Sequence, residues 1–349
     1  MKTQKRSITS LLIGIASLVL IVAGLKALSG LLSPILLSLF VVLVTYPIMT
    51  WLKRRGFPHW LAYAIVLLIV LSVGAFFILF FTISLSELSD VLPNYVSQTE
   101  AQLNNLWQWL KERGVESDDI EALQWFQPER IIQLILSLIS SLLSVFSNIG
   151  LTLLIFIYML ASAPTFAKQL RRGLKDNTFL LRQFQDFAHS TTSYLAIKSW
   201  VGALTAICQI ILMWIMGVQF AVLWGVLSFL FNFIPNIGFY VAIIPPVLLT
   251  LLDRGLVRAI IFGVGYALIN LFFDNVIAPR FLAQGLDLSV LVTFLAVIIW
   301  TWIFGPIGAF MALPLTVMVK KLLLEPFPQT QLVASLLGSG DEETSKKGK

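Results

Sequence analysis

The chain of 349 residues is 58% hydrophobic and only 12% charged, which is far more apolar than the core of a water-soluble protein of this length requires. This composition excludes a soluble globular protein and predicts an all-α polytopic membrane protein. The formal net charge of +6 does not indicate nucleic-acid binding, because the basic residues lie in short clusters between apolar segments, as cytoplasmic loops require. The single cysteine, Cys208, excludes a disulfide framework and a thiolate metal site within one chain, and no cofactor is expected.

Basic clusters orient the first three membrane spans. Lys2, Lys5 and Arg6 precede the first apolar segment, and residues 53 to 55 form a second cluster, so both are predicted to lie in the cytoplasm. The first segment also resembles a signal peptide, but another apolar segment follows after Lys26 alone, which favours a retained span. The spans are predicted within residues 1 to 86, at Ile8 to Leu25, Ala27 to Leu52 and Trp60 to Ser86.

Residues 87 to 130 form a polar segment, in which nine acidic residues against three basic ones suit the outer side of the membrane. Apolar residues near helical spacing predict that part of this segment is an amphipathic helix. Residues 131 to 163 are predicted to form the fourth span.

Residues 164 to 198 carry six basic and two acidic residues and are predicted to return to the cytoplasm. Apolar residues three or four apart predict interfacial helices here, broken near Gly173 or Asn177, and His189 is expected at the surface. The outer and basic segments have more apolar face than one small bundle covers. They therefore predict contact with membrane lipids and a homo-oligomer.

The apolar run Phe220 to Leu252 is interrupted in its middle by polar and helix-breaking residues. Its arms, Phe220 to Ile234 and Ile237 to Leu252, hold 15 and 16 residues. Each arm reaches only about 23 Å at about 1.5 Å per residue, which is less than a hydrocarbon core of about 30 Å. A hairpin of helix, break and helix is therefore predicted, with the break at Asn232, Pro235, Asn236 and Gly238.

The same design returns in residues 288 to 319, where Gly305, Pro306 and Gly308 interrupt a second apolar run. A predicted span precedes each interrupted run, so the unit is predicted to be duplicated within a transport core of residues 199 to 326. Matching interrupted segments point to a transporter's binding site, because freed backbone groups at membrane depth survive only where they are buried or line a cavity. Two kinks in ordinary spans are the alternative. The two spans that precede the interrupted runs are predicted at Ser199 to Met216 and Ala259 to Phe273. Residues 327 to 349 are predicted to form a disordered cytoplasmic tail.

Two topologies are open at this point. Two hairpins give six full crossings and two oppositely inserted re-entrant segments, which form an inverted repeat with both termini in the cytoplasm. Arg254 and Arg258 then lie outside, against the usual excess of basic residues in the cytoplasm. Eight ordinary crossings, with residues 220 to 252 crossing once, place these arginines inside.

Three stretches, NFIPNIGFYVAIIPP, DNVIAPRFLAQGLDL and FGPIGAFMALPL, resemble the autoinducer-2 exporter-like permease family, and the resemblance covers most of the chain. It implies a multi-pass protein of the prokaryotic inner membrane, secondary transport without ATP, and a homo-oligomer, with a pentamer suggested. Members of this family are associated with export of the furanosyl signal or with sodium/proton antiport. The resemblance therefore does not name the substrate.

Asp274 is the candidate for a coupling charge, because it ends an apolar run that lies between the two interrupted segments. A charge at the membrane centre costs about 2.5 to 3.5 kcal/mol, so such a residue usually has a partner. Arg280 or the polar tips Asn232 and Asn236 are expected to pair with it or to ligate a cation with it. An Asp-Asn cap at the membrane surface is the alternative. The candidate solute or ion site comprises Asn232, Pro235, Asn236, Gly238, Asn270, Asp274, Asn275, Arg280, Gly305, Pro306 and Gly308.

The sequence lacks the motifs GxGxxG, GxxxxGK[ST] and HExxH, and neither His59 nor His189 lies in an apolar span, so we expect no enzyme. The first hypothesis is a secondary transporter that exports a small polar organic solute, such as autoinducer-2 or a related metabolite, with ion coupling. The second is a monovalent cation (sodium)/proton antiporter. The third is a non-transporting membrane scaffold or receptor.

Overall fold

The computed structural model describes residues 8 to 112, 149 to 175, 178 to 281 and 288 to 338, together with positions 133, 137 and 140. Over these residues the chain forms helices, and no strand occurs among them. Many large apolar side chains face outward, such as Ile215 and Val290, each 77% exposed, as expected of a surface in lipid. The predicted all-α polytopic membrane fold is confirmed.

Six of the described helical segments are long and apolar enough to cross a membrane. A core of about 30 Å requires about 20 residues of helix. These segments are Ser29–Arg54, His59–Leu88, Ile149–Gly173, Thr178–Met216, Leu256–Phe281 and Pro306–Leu324. Four shorter apolar helices accompany them at Leu12–Ala27, Ala221–Phe231, Gly238–Leu251 and Val290–Phe304.

The helices before the first break are long and nearly continuous. They are α1 (Ile8–Ala27), α2 (Ser29–Arg54), α3 (His59–Glu112), α4 (Ile149–Gly173) and α5 (Thr178–Met216). With 54 residues, α3 is about 80 Å long, so the predicted third span continues as one helix into the polar segment that begins at residue 87. The rest of that segment, residues 113 to 130, and residues 131 to 148 lie almost entirely outside the described residues.

The basic segment also differs from its predicted form. Its helices do break between Gly173 and Thr178, but α5 then runs through 39 residues and joins the basic segment to the predicted fifth span without interruption. No proline or glycine occurs between Thr178 and Val201, so nothing in the backbone ends the helix before the span begins. His189 is exposed, as predicted.

Both predicted interruptions are present. In the first, α6 (Ala221–Phe231) and α7 (Gly238–Arg254) flank six residues outside any helix. In the second, α9 (Val290–Phe304) and α10 (Pro306–Met318) are separated by Gly305 alone. Since α6 and α7 have 11 and 17 residues, they reach only about 17 and 26 Å. By contrast, α10 continues through a π-helical turn, Val319–Leu324, and becomes long enough to cross.

The chain folds as two compact units, each built from separate stretches of sequence. The first unit comprises Met1–Pro47, Asn148–Thr192 and Leu286–Lys349, and it contains the second interruption. Its core packs Phe304, Met311 and Leu315 against side chains of α1 and α2. The second unit comprises Ile48–Ser147 and Ser193–Gly285, and it contains the first interruption together with α8 (Leu256–Phe272). Each unit therefore has its own broken-helix pair.

The helical segment that begins with α8 continues beyond Phe273, where the sequence predicted the sixth span to end. After α8 it runs through a π-helical turn, Phe273–Ile277, into a last helical turn, Ala278–Phe281. Asp274 consequently lies within a helical segment of 26 residues rather than at its end. A short helix, α11 (Gln331–Leu337), follows α10 within the predicted tail, and residues 339 to 349 lie outside the described part of the chain.

Candidate transport site

The first interruption is a tight reversal between α6 and α7. Asn236 adopts a left-handed conformation with φ of 60°, which asparagine tolerates better than most residues, and Pro235 has no N–H to continue a helix. A Cβ atom at Gly238 would overlap the carbonyl group of Phe231, the last residue of α6. Gly238 is therefore needed for the first turn of α7 to pack against the end of α6.

The second interruption has the same combination of a residue with positive φ, a proline and a closely packed glycine. Gly305 has φ of 66° and ψ of −148°, a conformation that is essentially restricted to glycine, and Pro306 occupies the first turn of α10. A Cβ atom at Gly308 would overlap the carbonyl group of Trp300 in α9. Gly238 and Gly308 thus have equivalent packing roles at the two interruptions.

Side chains of the first two helices hold the carbonyl end of α9. The ammonium group of Lys26 donates a hydrogen bond to the backbone oxygen of Trp302 and lies 5.0 Å from the centroid of the Trp302 ring. Ser33 donates to the backbone oxygen of Phe304 at 3.5 Å. The last carbonyl groups of a helix lack helical partners and carry partial negative charge, so a cation at this position stabilises the break. The sequence had indicated Lys26 only as a connector between spans.

Asp274 is the centre of a polar cluster in the second unit. Its Oδ2 atom accepts a hydrogen bond from Asn270 Nδ2 at 2.8 Å, as the spacing of one helical turn predicts. Its Oδ1 atom lies 3.4 Å from the ammonium nitrogen of Lys198 on α5. The side chain of Asp274 is 37% exposed and that of Lys198 is 17% exposed, so solvent screens the pair only in part. Strong charge-assisted bonds span about 2.7 to 2.9 Å, so this pair is loose enough to open.

The cluster extends to the first interruption through Asn232. The side-chain amide of Asn232, which directly follows α6, donates to the backbone oxygen of Lys198 at 3.4 Å. A Cβ atom at Gly202 would overlap that amide, so the glycine provides the space in which Asn232 lies against α5. The end of α6 is thereby attached to the same turn of α5 that supplies the cation for Asp274.

Tyr194 completes the cluster. It lies one helical turn before Lys198 on α5, is 7% exposed, and is close enough to Asp274 to interact electrostatically with its charge. Its buried hydroxyl group has no hydrogen-bond partner in the part of the chain that the structure describes. A buried donor without an acceptor costs about 1 to 3 kcal/mol, so this hydroxyl is available for a ligand or a rearranged partner.

The remaining predicted site residues do not join this cluster. Asn275 donates to the backbone oxygen of Leu271 at 3.1 Å and is exposed, and Asn236 is also exposed. Arg280 lies exposed in the turn Ala278–Phe281, and it forms no ion pair with Asp274 in the described part of the chain. Gly305, Pro306 and Gly308 belong to the first unit and Asp274 to the second.

Lys198 and Tyr194 are the two members of the cluster that sequence reasoning missed. Lys198 had been assigned to the basic cytoplasmic segment, of which it is the last residue. A signal was present, because Lys198 lies directly between the apolar stretch at 194 to 197 and the apolar run that begins after Ser199. An ionisable residue at the start of a membrane span is a candidate partner for a charge elsewhere in the membrane.

Comparison with known proteins identifies the family. The sequence model of the AI-2E family transporters matches residues 15–325. The chain is 30% identical to the AI-2 transport protein TqsA of Escherichia coli over 333 residues, which cover 95% of this chain and 96% of TqsA. It is 34% identical to a Haemophilus influenzae protein named "Putative transport protein" over 339 residues, covering 95% and 97% of the two chains. The chain therefore belongs to the AI-2E family of transporters and is a multi-pass membrane transporter.

Proposed function

We propose that the protein is a secondary exporter of a small polar organic solute, of the kind that autoinducer-2 represents, and that an ion gradient drives export through Asp274. The observation that carries the proposal is the partly buried pair of Lys198 and Asp274, which Asn232 attaches to the first interruption. The solute class is supported by the similarity to a protein named for AI-2 transport. Membership of a transporter family favours this function over a non-transporting scaffold.

Ion binding acts in this proposal by neutralising Asp274. A proton or a sodium ion on the carboxylate removes the counter-ion of Lys198, and the ammonium group then moves toward other acceptors. Asn232 is bonded to the backbone of the same residue, so a shift of this turn of α5 is transmitted to the end of α6. The π-helical turn at Phe273–Ile277 fits this role, since such turns are frequent at functional sites.

A sodium/proton antiporter is the second candidate function. The carboxylate of Asp274 offers oxygen ligands, which suit a hard monovalent cation, and the Lys198 ammonium group and the Asn270 amide N–H compete for the same carboxylate. In this case the ion is the transported species and no organic solute is required.

Flux through purified protein in liposomes tests the proposal. We expect wild-type protein to move autoinducer-2 against its gradient when a proton or sodium gradient is imposed. Asp274→Asn keeps the shape of the side chain and removes its charge, so flux in this variant should no longer respond to the ion gradient. Asp253→Asn is the matched control, because over the described residues Asp253 pairs with its neighbour Arg254 alone, at 3.1 Å near the end of α7.

Three outcomes separate the candidates. Sodium-dependent proton movement without autoinducer-2 indicates the antiporter. Gradient-driven autoinducer-2 flux that Asp274→Asn leaves unchanged indicates coupling at another site. A wild-type protein that moves neither ion nor solute contradicts transport by this chain.

We further propose that the protein is a homo-oligomer, with a pentamer as the expected form, in a prokaryotic plasma membrane with both termini in the cytoplasm. The proposal rests on the amphipathic segments and the family resemblance. Native mass measurements in several mild detergents and in nanodiscs decide it, and a single-subunit mass in all of them contradicts it.

A further inference from the structure

A second group of buried polar side chains lies where α5, α6 and α8 meet, apart from the Asp274 cluster. It consists of Gln209 on α5, Trp224 and Ser228 on α6, and Tyr266 on α8, and none is more than 6% exposed. Ser228 donates to the side-chain oxygen of Gln209 at 2.5 Å. The Tyr266 phenol lies beside Ser228, although the two hydroxyl groups do not meet in hydrogen-bond geometry. Trp224 precedes Ser228 by one turn on the same face of α6.

The group has donors that lack acceptors. Among the described residues, the side-chain nitrogen of Gln209, the indole nitrogen of Trp224 and the hydroxyl of Tyr266 are all buried without a hydrogen-bond partner. Buried polar groups in folded proteins nearly always have partners, so three unpartnered donors in one helix junction require an explanation. Acceptor oxygens brought to the junction would supply the partners that these donors lack.

Two glycines beside these donors let the helices approach closely. A Cβ atom at Gly225, next to Trp224, would overlap the side chain of Ile210, the neighbour of Gln209. A Cβ atom at Gly265, next to Tyr266, would lie 3.2 Å from the side chain of Leu212 on α5. The facing atoms are the ends of flexible aliphatic side chains. The Gly225 contact joins α6 to α5, so a ligand enters the junction from this side only when α6, the first arm of the broken pair, moves away from α5.

We propose that Gln209, Trp224 and Tyr266 form a binding subsite for the hydroxyl or carbonyl oxygens of an uncharged polar solute. The group contains no carboxylate, ammonium or guanidinium group, so it offers no charge to a charged ligand. Its free groups are donors, so it selects a ligand rich in acceptor oxygens. This inference rests on the proposed function in one respect, namely that the solute bound is the one exported. Water could supply the same acceptor chemistry, and the experiment distinguishes the two sources.

Ligand binding measured by thermal unfolding of the purified full-length protein tests the subsite without requiring flux. The probes are autoinducer-2, ribose and glycerol as neutral hydroxylated compounds, and lactate as an anion. We expect at least one neutral probe to raise the unfolding temperature of the wild-type protein and lactate to have no effect. Tyr266→Phe and Gln209→Leu should weaken that binding by about 2- to 12-fold each, as expected for one lost hydrogen bond. Tyr240→Phe is the control, because Tyr240 is 62% exposed on α7.

The variants also separate a binding role from a structural one. Tyr266→Phe removes only a donor that has no partner among the described residues, so its unfolding temperature without ligand should equal or exceed that of the wild type. Gln209→Leu also removes the oxygen that accepts from Ser228, so its unfolding temperature should fall, and its probe affinity alone is informative. A lower unfolding temperature of Tyr266→Phe together with unchanged probe affinity overturns the subsite. If no neutral probe affects the wild type, the occupant is water alone and the subsite is likewise overturned. Binding that persists without autoinducer-2 flux leaves the subsite intact and contradicts the proposed export.

Discussion

Lys198 and Asp274 are 76 positions apart in sequence, yet their charged groups lie 3.4 Å from each other in the second unit. Each is the counter-ion of the other, and the polar neighbours Asn270 and Asn232 carry no charge, so the removal of one charge leaves the other without compensation. The pair therefore affects stability and function in different ways, and substitutions of single and paired charges can separate the two effects.

The first prediction concerns the stability of this pair. Lys198→Met and Asp274→Asn should each lower the free energy of unfolding by up to about 1 kcal/mol, because each leaves one charge unpaired while the 37% exposure of Asp274 lets solvent screen it. The double variant should recover part of that loss, since it leaves no unpaired charge. Denaturation in detergent gives the three values. Additive losses in the double variant contradict the interaction.

The second prediction concerns the glycines at the two interruptions. Gly238→Ala and Gly308→Ala should each destabilise the protein by about 1 to 3 kcal/mol, because the new methyl group overlaps a backbone carbonyl that cannot move freely. Gly263→Ala on α8 is the matched control, because its Cβ atom would lie 3.6 Å from Val247, an ordinary contact. The control should be neutral or more stable by up to about 1 kcal/mol. Unfolding temperatures test all three, and equal effects at the three positions rule out the packing argument.

The third prediction concerns the cation at the end of α9. Lys26→Met removes a charge that contacts both the backbone oxygen and the ring of Trp302, so we expect a loss of about 0.5 to 2 kcal/mol in stability. Ser33→Ala should cost less, because its bond to Phe304 is long at 3.5 Å. Lys53→Met is a suitable control, because Lys53 lies 5.2 Å from the centroid of the Tyr63 ring and away from both helix breaks. This variant therefore measures the contribution of a cation on an aromatic ring alone. If Lys26→Met and Lys53→Met have equal effects, the helix end contributes nothing.

Local sequence patterns predicted the two helix interruptions correctly. The contacts between residues far apart in sequence could not be predicted. Pro235 and Gly305 prevent a regular helix through properties of their own backbones, so their effect is visible without a partner. The bond between Asn270 and Asp274 follows from a spacing of four residues on one helix. The partner of Asp274, by contrast, depends on how α5 packs in the second unit, and no periodicity in the sequence encodes that packing.

Arg280 shows why nearness in sequence does not identify the partner of Asp274. It is six positions after Asp274, and a separation of six residues places two side chains on different sides of a helix. The π-helical turn that carries Asp274 contains no proline or glycine of its own. Its one mark in the sequence is Pro279 beyond it, whose missing N–H leaves the carbonyl of Asn275 without a helical donor. Similarly, Tyr194 was not recognised, because a tyrosine in an apolar stretch is ordinary and only its unpartnered, buried hydroxyl distinguishes it.

The last prediction concerns the direction in which the first broken pair enters the membrane. Because α6 and α7 reach only about 17 and 26 Å, neither crosses a core of about 30 Å alone, and we expect a re-entrant hairpin that opens to the outside. The segment Leu256–Phe281 is long enough to cross back to the cytoplasm. In a background with Cys208 replaced, Asp253→Cys should therefore react with an impermeant maleimide in intact cells. Gln284→Cys, which lies outside the described residues, should react only after permeabilisation. The reverse pattern, with Asp253→Cys protected until permeabilisation, would establish that residues 220 to 252 cross the membrane once and would contradict the inverted repeat.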